Sequence, residues 1–267
     1  MQQYRTQNPV NDEVVATYDF TTDADINIAL DDSAQAYKSW SKLSFEDRAE
    51  VMRKVADLML ERRVELAQIA GQEMGKRMGE AVGEVKYCAS IIKYYADNGA
   101  QFAADEEIPT NSDGKAIIRR LPLGTLLGVM PWNFPYYQVA RFIAPNLMLG
   151  NTVLLKHAEI CAGSALAIQK LLDDAGVPKG VYINIFATHD QVADIIADDR
   201  VHGVSLTGSE RAGEIIAAHA GKNLKKSVLE LGGNDPYIIL DTENVAEAAS
   251  TAWWTRMSNT GQSCTSN

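Results

Sequence analysis

Only three cysteines occur in the 267 residues, Cys88, Cys161 and Cys264, and no two form a C-x-x-C pair. An odd count at wide spacing excludes a disulfide framework and fits free thiols in a reducing compartment, so a cytoplasmic location is expected. Histidine is as scarce. His157, His189, His202 and His219 lack metal-ligand spacing, and no metal is expected. No apolar run approaches the ~18 residues of a membrane helix. The opening MQQYRTQNPVNDEVV has neither the basic nor the apolar stretch of a signal peptide, so no membrane association is expected. Positive charge is in deficit, with 25 Lys and Arg against 35 Asp and Glu and a pI of about 4.9. That balance disfavours nucleic acid as a partner but leaves room for a local basic pocket and a small-molecule substrate. No repeat or low-complexity tract is visible. At 46% hydrophobic and 22% charged the chain is an ordinary globular one, long enough to bury a core.

What is present is a change of rhythm. The first hundred residues read as helical. Ser44, Phe45, Glu46 and Asp47 form a capping-box pattern, and Val51, Val55, Leu58 and Met59 follow at helical spacing. A second helix carries Ala81, Val82, Val85, Cys88, Ile91, Ile92 and Tyr95, which makes Cys88 a core residue. Residues 109–121, with the turn signal Asp113-Gly114, read as a hairpin arm suited to oligomerisation. Beyond them, strands at 125–130, 151–155, 181–186, 203–206 and 227–231 alternate with helices, including 162–175, 191–197 and 210–220. Such alternation predicts an α/β fold, a doubly wound Rossmann-like parallel sheet with ligands at the carboxyl ends of its strands. Residues 1–108 and 122–230 are expected to form that domain. Residues 231–267, with a strand at 237–240 and a helix at 245–254, are too few for a core and read as the beginning of a second α/β domain, cut short.

Four segments fall at predicted strand ends. Pro131-Trp132-Asn133-Phe134-Pro135 is a proline-bracketed loop that can hold an amide donor at a fixed point. Thr207-Gly208-Ser209 opens a helix and places N–H groups where phosphate binds, although a plain βα turn has the same look. Glu230, followed by Leu231 and two glycines, is either a general base or a surface acid before a hinge. Cys264 lies among small polar residues, with no apolar stripe to explain it, so its thiol is accessible.

Together, PWNFP, LTGSERAG, LELGG and GQSC resemble the aldehyde dehydrogenase superfamily in order and approximate spacing, as do residues 150–156, GNTVLLK, and Asn8-Pro9 with Asp12-Glu13-Val14 near the start. The resemblance covers essentially the whole chain. It implies oxidation of an aldehyde to an acid through a cysteine thiohemiacetal and thioester. It also makes the 1–108 and 122–230 unit a cofactor-binding domain and the 231–267 segment the start of a catalytic one. Cys264 is then the nucleophile, Glu230 the general base and Asn133 the oxyanion amide. Trp132 and Leu231 line the cofactor channel. Lys156 and Glu159 hold the adenosine ribose, and Gly208, Ser209 and Gly213 meet the pyrophosphate. Arg141 stands where relatives acting on succinate semialdehyde place a substrate-binding arginine, which makes that compound the expected substrate. The cofactor is NAD or NADP. Glu159 leans the expectation toward NAD, since its carboxylate repels a 2′-phosphate, although Lys156 is close by. The resemblance also implies a homo-oligomer. An aldehyde dehydrogenase of other specificity, and an inactive cofactor-binding fragment, remain as alternatives.

Overall fold

The computed structural model describes residues 3–111 and 113–267. Contrary to an all-helical opening, the chain starts with a hairpin of β1 (Tyr4–Gln7) and β2 (Val14–Tyr18). Its anchor is aromatic. Tyr4 is fully buried against Phe20 and Phe186, at ring distances of 5.5 and 4.5 Å. Four helices follow: α1 (Asp23–Trp40), α2 (Phe45–Glu61), α3 (Arg63–Met74) and α4 (Met78–Phe102). The expected capping box opens α2, with Ser44 and Asp47 bonding reciprocally. Cys88 is completely buried on α4. A second hairpin pairs β3 (Glu106–Ile108) with β4 (Ala116–Ile118) around the predicted turn; of that turn, Ser112 lies outside the described residues.

The alternating part then runs β5 (Thr125–Met130), α5 (Tyr137–Leu149), β6 (Thr152–His157), α6 (Ala162–Asp174), β7 (Tyr182–Asn184), α7 (His189–Ala197), β8 (Val201–Thr207), α8 (Glu210–Lys222) and β9 (Lys226–Glu230). The five strands form one parallel sheet in the order β7-β6-β5-β8-β9. β6 is buried throughout and β5 nearly so, as a parallel strand covered on both faces must be. Successive side chains feed opposite cores. Leu126, Val153 and Leu155 pack with α2–α6, whereas Leu127 and Leu154 pack with α1, α7 and α8. The connections reverse direction between β5 and β8, which opens a crevice at their carboxyl ends.

After β9 the packing thins. The strand expected at 237–240 does not form, because no strand among the described residues pairs with it; Ile238 and Leu240 are 72% and 93% exposed. The expected helix does form as α9 (Val245–Met257), but none of its residues is buried. No helix among the described residues is long and apolar enough to cross a membrane.

Candidate active site

Sheet register brings the strand ends level. Val129 of β5 lies opposite Lys156 of β6 and Leu206 of β8, and Thr207 lies opposite Glu230 of β9. The loop 131–136 leaves β5 at this edge. His157 anchors it from β6. Its Nδ1 accepts from the Ala158 N–H at 2.8 Å, which leaves Nε2–H to donate to the Pro135 carbonyl at 2.9 Å. Burial drives the imidazole pKa down to about 4, so the ring stays neutral and this tautomer is fixed.

Asn133 faces the cysteine loop. Its Nδ2 donates to the Gln262 carbonyl at 2.9 Å, and its own carbonyl accepts from Asn259 Nδ2 at 2.9 Å. Asn259 and Thr260 both adopt left-handed conformations, with φ of 52° and 56°. For a β-branched threonine this is strained backbone, held by the bonds around it. A Cβ added at Gly233 would run into the Cys264 carbonyl oxygen, so only glycine lets the two segments cross.

Two cavities meet at Cys264, Ser263 and Gln138. One, of about 340 Å³, is lined by Trp132, Asn133, Gly208, Ser209 and Leu231. The other, of about 740 Å³, is lined by Tyr137, Arg141, Glu230 and Trp254. Arg141 donates to Thr207 Oγ1 at 3.0 Å and lies 3.4 Å from Glu230 Oε2. Of the three free thiols, Cys88 and Cys161 are buried and Cys264 is partly exposed. Burial pushes the pKa of both buried thiols well up. No group of three or more His, Cys, Asp or Glu among the described residues could hold a metal.

The sequence profile of the aldehyde dehydrogenase family matches residues 1–267. The chain belongs to that family. A succinate-semialdehyde dehydrogenase [NADP(+)] of Deinococcus radiodurans is 49% identical over 98% of this chain and 54% of its own length. The succinate semialdehyde dehydrogenase [NAD(P)+] Sad of Escherichia coli K12 is 40% identical over 96% and 55%. A crystal structure of succinic semialdehyde dehydrogenase from Streptococcus pyogenes with NADP+ superimposes with a TM-score of 0.95 at 44% identity, covering 98% of this chain and 58% of that one. The chain therefore spans about half the length of the curated relatives it matches.

Within this aldehyde dehydrogenase fold, the expected residues divide into groups. Cys264, Glu230, Asn133, Arg141, Trp132, Gly208, Ser209 and Leu231 all border the two joined cavities. Lys156 and Glu159 border neither. They sit one strand over, 3.9 Å apart, with Lys156 Nζ 5.5 Å above the Tyr4 ring. Burial lowers the Lys156 pKa and Glu159 opposes that shift. Gly213 borders neither cavity. A Cβ there would lie 2.8 Å from Leu231 Cδ2, so this glycine permits α8 to pack closely on the end of β9. Sequence reading passed over Tyr4, His157 and Gln138. A Tyr in an opening strand and a His ending an apolar strand carry no local motif. Their partners are 153 and 22 residues away.

Proposed function

We propose that this chain is the cofactor-binding and nucleophile-bearing part of an NAD(P)-dependent aldehyde dehydrogenase whose substrate is a semialdehyde with a distal carboxylate, succinate semialdehyde in particular. The observation that carries the reading is the junction of two cavities at Cys264, one bordered by a helix-opening Gly-Ser turn and the other by an arginine and a carboxylate. The first suits a dinucleotide, because Gly208 and Ser209 open the cavity at the N-terminus of α8, where backbone N–H groups favour phosphate. A bound nicotinamide supplies the hydride acceptor.

The remaining steps belong to this chain. The Cys264 thiolate adds to the aldehyde carbon and its carbonyl becomes an alkoxide. Asn133 Nδ2 spends one N–H on Gln262 and keeps the other for that oxygen. Hydride loss leaves a thioester on Cys264. Glu230 takes a proton from water, the water oxygen bonds to the acyl carbon, and the C–S bond breaks to free the acid and the thiolate. Arg141 grips the distal carboxylate, which takes the place Glu230 holds beside the guanidinium.

Glu159 gives no ground for an NAD preference. Its charge is offset by Lys156, and several relatives carry NADP(+) in their names. The reading takes either dinucleotide. It also keeps residues 1–108 and 122–230 as the cofactor domain, residues 231–267 as the start of a catalytic domain, and the β3–β4 hairpin as an arm toward a second copy.

The test uses the full-length polypeptide carrying this sequence. Wild type reduces NADP or NAD with succinate semialdehyde, and Cys264→Ser does not. Arg141→Ala loses about 2 kcal/mol in kcat/KM on succinate semialdehyde, the low end for a charge pair that remains partly exposed, and little on an uncharged aldehyde of similar length. Equal losses on both substrates would make Arg141 structural.

A further inference from the structure

Lys76 and Glu84 flank the start of α4 and belong to none of the motifs above. Their side chains are 1% and 2% exposed and form an ion pair. Buried pairs are often no better for stability than apolar residues of the same size. This pair does something more local. Lys76 Nζ donates to the Asn133 carbonyl at 3.2 Å and sits 4.0 Å over the Phe134 ring. Glu84 Oε1 accepts the N–H groups of Tyr136 and Tyr137 at 2.8 and 2.9 Å, which closes the first turn of α5. The two side chains thus clasp residues 133–137 from both ends.

Between them in sequence, Glu80 reaches the other loop. Its Oε1 accepts the Asn259 N–H at 3.2 Å, and Asn259 Nδ2 is shared between the carbonyls of Asn133 and Gln262. One short stretch of chain therefore holds both the loop carrying the amide and the loop carrying the thiol. The Asn133 carbonyl takes one donor from each side, Lys76 and Asn259. Its amide nitrogen returns a bond to Gln262, two residues before Cys264.

We propose that Lys76 and Glu84 are a positioning pair that sets the Asn133 amide against the Cys264 thiol for the oxyanion-forming step. The proposal rests on the dehydrogenase reading. It requires that the pair govern the rate of acylation rather than the folding of the domain or the binding of cofactor.

Three variants of the full-length polypeptide separate these roles. Glu84→Gln keeps an acceptor for Tyr136 and Tyr137 and removes the charge. Lys76→Met removes the other charge. The double variant buries no lone ion. Each is assayed for unfolding midpoint, NADP dissociation constant and first-turnover rate of cofactor reduction. The single variants lose stability and the double variant regains it. All three bind NADP as wild type does, and all three reduce it about 10- to 100-fold more slowly in the first turnover, the scale for a misplaced oxyanion donor. A double variant that recovers rate together with stability overturns the proposal, and so does a loss of NADP affinity matching the loss of rate. If the single variants do not fold, the rate of the double variant decides alone. A wild-type protein that reduces neither dinucleotide with any aldehyde sinks the dehydrogenase reading and this proposal with it, whereas a normal rate in the double variant sinks only the pair.

Discussion

The sheet from β5 to β9 and the segment after Gly232 are held by different means. In the sheet, β6 is fully buried and α5 buries eight of its side chains, among them Val139, Phe142, Ile143, Leu147 and Met148. In the later segment α9 buries none, and Trp253 and Trp254 are each 66% exposed. Yet the thiol belongs to the second region. Polar contacts place it: Asp235 N–H to the Ser266 carbonyl at 3.0 Å, Asn133 to Gln262, and Asn259 to Asn133. The amide and the arginine stand on a packed scaffold, the carboxylate ends the half-exposed edge strand β9, and the nucleophile is brought to them by a handful of directed bonds. Packing fixes a shape broadly, while hydrogen bonds fix one geometry and fail singly.

The largest test of that contrast acts on the packed side. His157 is neutral in the fold with its pKa lowered to about 4, against an ordinary value of 6.5. Below pH 6.5 the unfolded chain takes up a proton that the folded chain refuses, so stability falls as pH drops from 6.5 and levels off near 4. A shift of this size amounts to roughly 3 kcal/mol. NMR titration of the imidazole is the check. A His157 that titrates near 6.5 in the folded protein would mean that the loop anchor is loose and the sheet edge less packed than described.

Next comes the directed side. Gly233→Ala puts a methyl group into the Cys264 carbonyl oxygen, and the shared crossing must open. Turnover in the full-length polypeptide should fall about 10²-fold, as for a nucleophile displaced by an ångström. The unfolding midpoint should move little, because few apolar contacts depend on that crossing. A large drop in the midpoint would show that the segment after Gly232 is part of the cooperative core after all.

How much of this was legible follows the same division. Alternation of strand and helix is a periodic signal, and it located β5, β6, β8, β9 and their helices to within a few residues. The loop around Asn133 and the Gly208-Ser209 turn announced themselves through prolines and glycines. Three things were not legible. The β1–β2 hairpin is short and turns polar and apolar side chains alike outward, Arg5 and Thr17 with Val14 and Val15, and Tyr4 is its one fully buried aromatic. Residues 237–240 have the composition of a strand, but a strand is a property of two segments, and no described segment pairs with this one. The clasp formed by Lys76 and Glu84 links residues more than fifty positions apart in sequence, and nothing in a local window distinguishes a buried Lys and Glu from the solvated pairs of an ordinary helix. For Gly213 the resemblance implied contact with the pyrophosphate, whereas its close packing on Leu231 was not visible in the sequence.

The smallest effect sharpens the picture of the packed side. Gln138 is 1% exposed between the two cavities, and both polar atoms of its amide lack a partner. Gln138→Met fills the same volume without that cost and should stabilise the chain by about 1 kcal/mol in denaturant titration. A destabilised variant would show that the amide has a hydrogen-bonded neighbour, such as an ordered water.

The unequal burial of the three cysteines has an analytical use. Cys88 and Cys161 are sealed in the interior, where burial and nearby carboxylates keep their thiols protonated, and of the three only Cys264 is partly open to solvent. A maleimide or iodoacetamide reporter added under native conditions should therefore label one position among these 267 residues without Cys88 or Cys161 being removed by mutation. The stoichiometry of that label counts intact sites in a preparation, and its fluorescence follows the cysteine loop as ligands arrive.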